Sequence, residues 1–307
     1  MGGLDALDPK QLIGRRFGSV VLIRELGRGA MAAVYLGYQQ TLKRQVAVKL
    51  LPREQTASPE AMHQFRDEAE TAAVLSHPNI VQVFEVGQTD DFHYIIMQRI
   101  VGVDLAMLIR QRAKHPVPER RRLPPKWVIA WVIEVLDALH YAHKRGVSHQ
   151  DIKPSNVMID KETRRALIVD FGIARTLKAE YWAEGMVVGT PRYAAPEQVA
   201  GQPPDPRVDV YAAGLVLYEA LAGWLPLRDQ NDARKLIARK LRAPHTLFDR
   251  PPSAVAPDID ARLERIILHA IAPDPADRYA DCAAFRRDLA HYLPTLATKR
   301  WQARKQG

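Results

Sequence analysis

Between positions 149 and 156 the chain reads His149-Gln150-Asp151-Ile152-Lys153-Pro154-Ser155-Asn156. A carboxylate, an ammonium and an amide oxygen fall within one short stretch. Asp151 is a candidate base, Lys153 a cation for an anionic group, and Asn156 a neutral oxygen ligand. Pro154 limits helix here, so the three sit on a loop. Such a set suits a phosphate and a metal ion handled together. A second lysine, Lys49, closes the apolar run Val46-Ala47-Val48. A charge there is costly without a partner, although an exposed strand end would relieve that cost. The run Gly27-Arg28-Gly29 lets backbone approach a phosphate with no Cβ in the way. Glycine turns also occur in hairpins for purely structural reasons.

The surrounding elements must position these groups. Short β-rich runs at 20–23, 34–37 and 45–49 are separated by glycine and polar residues, which predicts an antiparallel sheet. Residues 62–75 read as an amphipathic helix that starts after Pro59 and ends at Ser76-His77-Pro78,. Strands at 79–86 and 92–97 complete a five-stranded lobe. From there the pattern turns helical, at 105–112 and 127–143, with Gly146 following the second helix,. A β-hairpin is expected from 157–159 and 166–169, then helices at about 206–222, 233–241, 260–271 and 280–292. The proline-rich connector around Glu119-Arg120-Arg121-Arg122 reads as a solvated loop, with a docking patch as the alternative.

Composition sets outer bounds. The 307 residues are 47% hydrophobic and 26% charged, enough for a two-lobed globular protein,. The net charge of +9 is accounted for by a solvated surface and a phosphate site; no base-reading motif supports nucleic-acid binding. The single cysteine, Cys282, allows no intrachain disulfide and fits a reducing compartment,. The first residues carry neither a signal peptide nor a myristoylation pattern. The apolar run 210–227 is bordered by Asp209 and interrupted by Glu219 and Gly223, which favours a buried core helix over a membrane span.

Taken in order, these stretches resemble the eukaryotic-like (Hanks-type) serine/threonine protein kinase domain, bacterial kind, over roughly 17–293. The loop matches H-R-D-x-x-x-x-N with Gln150 in place of arginine, and the glycine turn matches G-x-G-x-x-G-x-V with Ala32 at the third glycine,. Phe65-Arg66-Asp67-Glu68-Ala69 looks like the family's helix C, with Glu68 as the partner of Lys49,. Asp170-Phe171-Gly172 follows the expected hairpin. Gly189-Thr190-Pro191 through Ala195-Pro196-Glu197 resembles the end of an activation segment. Asp209 resembles the buried aspartate that anchors the catalytic loop, and Arg278 the arginine that pairs with Glu197. The bacterial character rests on 65–83 and 170–175.

The resemblance implies an α+β, bilobal protein kinase fold: a five-stranded antiparallel sheet plus helix C in the N-lobe, and a mostly helical C-lobe. The expected divisions are an N-terminal extension at 1–16, the N-lobe at 17–97, a hinge at 98–101, the C-lobe at 102–293 and a basic tail at 294–307. It also implies ATP and Mg²⁺ as cofactors, with Mn²⁺ as a substitute. Leu26, Gly27, Gly29, Val34, Ala47, Met97, Gln98, Ile100 and Met158 would hold the nucleotide beside Lys49. Asn156 and Asp170 would bind the metal. Asp151 would take the acceptor proton, and Lys153 would neutralise charge on the transferred phosphate. Partners would be proteins bearing Ser/Thr acceptors, with a homodimer serving autophosphorylation and no nucleic acid. The location would be cytoplasmic, or the cytoplasmic part of a longer membrane-anchored chain. In relatives, the arginine replaced by Gln150 clamps an activation-loop phosphothreonine, and Glu184 stands where that threonine is expected. Independence from that phosphorylation follows. Two rivals are a pseudokinase scaffold, which Ala32 and Gln150 favour slightly and the retained Lys49, Glu68, Asp151, Asn156 and Asp170 oppose, and a small-molecule kinase, which Thr190, Glu197, Asp209 and Arg278 oppose.

Overall fold

Side-chain alternation along the strand Arg44–Pro52 organises the first part of the molecule. In the computed structural model Val46, Val48 and Leu50 are fully buried, and Ala47, Lys49 and Leu51 alternate with them toward the opposite face,. The structure describes residues 9–29, 32–53, 73–117, 120–171, 191–203 and 205–296. It divides into two units, Met1–Val101 and Gly102–Gly307.

The first unit is an antiparallel sheet of β1 (Arg16–Phe17), β2 (Val20–Arg28), β3 (Ala33–Gln39), β4 (Arg44–Pro52), β5 (Val83–Gln88) and β6 (Phe92–Gln98). The strand order is β1-β2-β3-β4-β6-β5. The five expected strands are present, and the two-residue β1 adds a sixth by pairing with Val20 and Val21. β1 begins at Arg16, the last residue of the stretch that the sequence presents as polar extension. Here a short helix, α1 (Pro9–Leu12), delivers Leu12 to the sheet core at 1% exposure. The backbone then zips onto β2 through Gly14 N–H to Leu22 O and Leu22 N–H to Arg15 O. The driving force is apolar burial. Leu12 and Phe17 join Val20, Tyr35, Val48 and Phe92 in one core, and Phe17 meets the rings of Phe92 and Tyr94 edge-on at 6.0 and 5.8 Å. The strand expected from 79 enters the ladder only at Val83; Ile80 and Val81 are buried ahead of it. Most of the expected helix 62–75, Glu68 included, lies outside the described residues.

The second unit holds a small sheet, β7 (Gly102–Asp104), β8 (Val157–Asp160) and β9 (Ala166–Ile168), in that order. The β8–β9 hairpin matches expectation. β7 was not foreseen, and its close approach explains Gly102: a Cβ there would lie 2.1 Å from the Ile159 carbonyl oxygen. Its principal helices are α2 (Leu105–Ala113), α3 (Pro125–His143), α4 (Pro196–Val199), α5 (Arg207–Ala222), α6 (Ala233–Arg242), α7 (Ala261–Ala270) and α8 (Cys282–Tyr292). Aspartates start several of them. Asp104, Asp260 and Asp281 accept from Met107, Leu263 and Ala284 N–H at 2.7, 2.8 and 2.7 Å, each cap contributing about 1 kcal/mol. α5 is buried on every side from Val208 to Ala222, which accounts for the apolar run at 210–227. Cys282 is buried on α8, as expected for a packed residue. Among the described residues no helix is long and apolar enough to cross a membrane.

Candidate active site

The loop at 149–156 is held from below by one carboxylate. Asp209, at 0% exposure on the first turn of α5, accepts His149 N–H at 2.8 Å and Gln150 N–H at 2.7 Å, and lies 2.7 Å from His143 Nε2. Two consecutive N–H groups converge on one carboxylate because Gln150 adopts a left-handed φ of 62°, a conformation disfavoured outside glycine. Burial alone would raise the Asp209 carboxyl. The His143 bond, the nearby imidazoles and the His149 N–H outweigh it and hold the group below the usual carboxylate range,.

His149 is the hub of the loop. Asp151 N–H donates to its Nδ1 at 3.2 Å, so the ring proton sits on Nε2, which donates to Val169 O at 3.1 Å. Phe171 stacks edge-on against the ring at 4.7 Å. Val169 N–H in turn donates to Asn156 O at 3.0 Å. These bonds bring the Asp170 segment alongside the loop, and Asp170 itself has a φ of 60°. Strained backbone thus flanks Asp151 and marks Asp170.

Asp151, Lys153 and Asn156 meet as the sequence predicted. Lys153 Nζ donates to Asp151 Oδ2 at 2.7 Å. Asn156 Nδ2 donates to Asp151 O at 2.9 Å and to Oδ2 at 3.3 Å, which turns the Asn156 amide oxygen the other way. The donor set available to a metal is therefore one amide oxygen and the Asp170 carboxylate. Among the described residues no group of His, Cys, Asp and Glu forms a self-sufficient metal cage. Two oxygen ligands fit a hard ion that completes its shell with phosphate oxygens and water, as Mg²⁺ does.

The first unit supplies a separate array. Cross-strand partners in antiparallel sheet share a face, and the register aligns Leu36, Ala47 and Met97 in one row and Val34, Lys49 and Ile95 in the next. Val34, Ala47, Lys49 and Met97 therefore occupy one face of the sheet. Ala47 and Met97 are buried, Val34 and Lys49 half-buried. Leu26 is 41% exposed, so simple core packing does not explain it. Gly27 has no left-handed φ, and a Cβ added there would meet no atom within 4 Å; its own fold does not require glycine. Gly29 N–H closes the turn onto Ala32 O at 2.8 Å. Gln98 N–H is committed to Gln82 O at 2.8 Å, so an adenine contact at Gln98 would use its carbonyl. Ile100 is half-buried after β6, and Met158 is half-buried in the middle of β8. Glu68, Gly172, Glu184 and Thr190 lie outside the described residues.

The second unit also contains a frame around 191–198. Arg278 pairs bidentately with Glu197 at 2.5 and 2.8 Å, both buried, as the sequence predicted. Arg278 adds bonds to the carbonyls of Ala272 and Pro273 at 2.7 and 2.9 Å and lies 4.7 Å from the Tyr211 ring. Gln198 was not anticipated. Its Oε1 accepts Ala195 N–H at 2.9 Å, and its Nε2 donates to Gln150 O at 3.1 Å. Lys240 was missed as well, because it is embedded in a basic stretch with Arg234, Lys235, Arg239 and Arg242.

A family profile described as the protein kinase domain matches residues 20–289. The chain is 40% identical over 291 residues to the serine/threonine-protein kinase Pkn1 of Myxococcus xanthus, covering 93% of this chain and 40% of that protein. It is 35% identical to the serine/threonine-protein kinase PknF of Mycobacterium tuberculosis, covering 91% and 57%, and 34% identical to PrkC of Bacillus subtilis, covering 91% and 41%. The crystal structure of the M. tuberculosis PknI kinase domain matches with a TM-score of 0.73 at 33% identity, over 91% of this chain and 97% of that one. The chain thus spans between 40% and 57% of the length of these curated relatives.

Proposed function

The chain belongs to the protein kinase family, and from that premise we propose that it transfers the γ-phosphate of ATP to serine and threonine hydroxyls of proteins. The observation that carries this reading is the orientation of Asp151 by Lys153 and Asn156 on a loop anchored to Asp209. In the transfer, the acceptor oxygen forms a bond to phosphorus, the bridging oxygen leaves with ADP, and the hydroxyl proton passes to Asp151. Lys153 neutralises charge on the moving phosphoryl group. Lys49, with Glu68, would hold the α- and β-phosphates, with Gly27 and Gly29 over them. The family's adenine-site roles fall on Leu26, Val34, Ala47, Met97 and Met158, and its edge contacts on the Gln98 carbonyl and the Ile100 N–H. Asn156 and Asp170 would hold Mg²⁺, which when bound offsets phosphate charge. Cytoplasmic ATP places this chemistry on the cytoplasmic side.

Regulation departs from the family's usual pattern. The Gln150 side-chain nitrogen is buried and has no hydrogen-bond partner among the described residues. An uncharged amide cannot supply the bidentate fork of arginine to a phosphate. We therefore read the enzyme as independent of phosphorylation at the usual activation-loop position.

The test is phosphate transfer from Mg-ATP to itself and to a generic basic protein, before and after phosphatase treatment. Transfer should persist after phosphatase and fall by at least about 100-fold in Asp151→Asn. Strong loss on dephosphorylation would refute the regulatory reading. A folded protein that binds ATP and transfers nothing would refute the kinase reading and leave a nucleotide-binding scaffold.

A further inference from the structure

α6 is a basic helix whose buried positions are Leu236 and Lys240. The two are one helical turn apart and share a face. Lys240 is only 1% exposed, where charged side chains are rarely found without partners. Among the described residues no carboxylate lies within ion-pair distance of it. Its Nζ instead donates to two backbone carbonyls, Arg192 O at 3.1 Å and Ala194 O, and lies 5.5 Å from the Tyr211 ring.

Those carbonyls belong to a stretch wired to the catalytic loop. Directly after Ala194, the N–H of Ala195 bonds Gln198, and Gln198 bonds the carbonyl of Gln150, the neighbour of Asp151. Arg192, Tyr193 and Ala194 are half-buried, so they form surface adjoining the loop that carries the base. A hydroxyl delivered to Asp151 comes with a chain that must pass this surface.

We propose that Lys240 is a positioning residue for the protein acceptor, its Nζ latching 192–194 so that the surface beside Asp151 keeps one shape. This rests on the kinase reading above. The latch is sensitive to charge, because the gain of a charge-assisted bond competes with the cost of burying the ammonium. Several charged and polar groups face the site. Glu197 favours the ammonium and Arg278 opposes it. Arg192 and Glu219 flank the latched stretch, and the Tyr211 ring supplies only its π-face. Burial dominates and brings Lys240 down to about 7. Protonation therefore favours release of Lys240 into solvent, and the latch is weaker below neutral pH and tighter above it,.

The experiment compares the unaltered chain with Lys240→Met by hydrogen exchange and by steady-state transfer to a serine peptide. Amides at 192–198 should exchange about tenfold faster in the folded variant. The peptide KM should rise about fivefold or more, with kcat and the ATP KM within about twofold. In the unaltered chain the peptide KM should fall severalfold between about pH 6 and about pH 8.5, and in Lys240→Met it should stay flat. Unchanged exchange in a folded variant overturns the proposal, as does faster exchange with an unchanged peptide KM. Should Lys240→Met not fold, the pH profile of the unaltered chain decides, and a flat peptide KM overturns the latch. Absence of transfer by the unaltered chain refutes the kinase reading instead. Exchange at 192–198 in the unaltered chain, corrected for its intrinsic pH dependence, then decides the latch without turnover: slowing through neutral pH supports it and constancy overturns it.

Discussion

Asp209 gathers backbone N–H groups beneath the catalytic loop, and Lys240 gathers backbone carbonyls beneath 192–194. Both side chains are sealed from solvent, at 0% and 1% exposure. Burial opposes the charge in each case, yet the outcomes differ. Asp209 has two N–H donors and a histidine in direct contact, and these outweigh desolvation. Lys240 has two carbonyl dipoles and the Tyr211 ring, while Glu197, the carboxylate that favours its charge, is already committed to Arg278. Desolvation wins there. Buried anchors of similar exposure thus differ in permanence according to the bonds each charge receives. The base-bearing loop sits on an anchor charged throughout the neutral range. The neighbouring stretch sits on one that titrates within it.

The largest expected effect comes from removing the permanent anchor. Asp209→Ala leaves two buried N–H groups and His143 unpaired, which should cost on the order of 3–5 kcal/mol and reduce transfer at least about 100-fold. Urea unfolding and steady-state rates check this. The sign of the pH dependence is also defined. A depressed carboxylate contributes stability that is present above the unfolded-state value and is lost as acid is added through the folded one. The Asp209→Ala penalty should therefore be constant across neutral pH and shrink only in acid. A penalty that varied through pH 7 would erase the contrast with Lys240.

Next comes the titrating anchor. The folded value for Lys240, about 7, lies below the ordinary lysine value of 10.5. Between those values the unfolded chain holds the extra proton, so stability from this position rises with pH. From pH 7 to 9 the unaltered chain should gain about 2 kcal/mol relative to Lys240→Met, measured as the change in their difference in unfolding free energy. No change would mean that Lys240 stays charged and that the two anchors are alike.

What the sequence disclosed of this contrast follows from how each residue is encoded. Asp209 borders an apolar run whose interruptions favour a buried helix over a membrane span, and Asp151, Lys153 and Asn156 lie within one turn-like octet. Both signals are local, and the register that aligns Val34, Ala47, Lys49 and Met97 follows from period-two alternation. The misses are contacts without local pattern. Leu12 is one of several scattered apolar residues in the first sixteen, beside Ile13, and only the folded sheet shows that it is the one that fills a core edge. β7 is three residues long and owes its existence to β8. Lys240 reads as one more charge on a solvated face, because helical periodicity places it beneath Leu236 only once one knows which face is inward. Gln198 acts through its amide on partners 3 and 48 positions away, a separation that no motif expresses.

The smallest effect tests whether charge is the relevant variable. Tyr193, between the two carbonyls that Lys240 holds, donates its hydroxyl to Glu219 on α5. This is a third tether on the same stretch, and it is a single bond. Tyr193→Phe should cost about 1 kcal/mol and speed exchange at 192–198 by less than about threefold. Its penalty should change with pH in the same direction as that of Lys240→Met, but through a carboxylate rather than an amine. Burial already raises the Glu219 carboxyl, against the opposing effects of Tyr193 and Arg192, and removing the phenol raises it further. A raised carboxyl binds protons that the unfolded chain has released, so stability falls as pH rises and the Tyr193→Phe penalty should grow with pH. If this variant instead frees the stretch as much as Lys240→Met does, the tether is the tyrosine, and the lysine serves only to fill and satisfy the space beneath it.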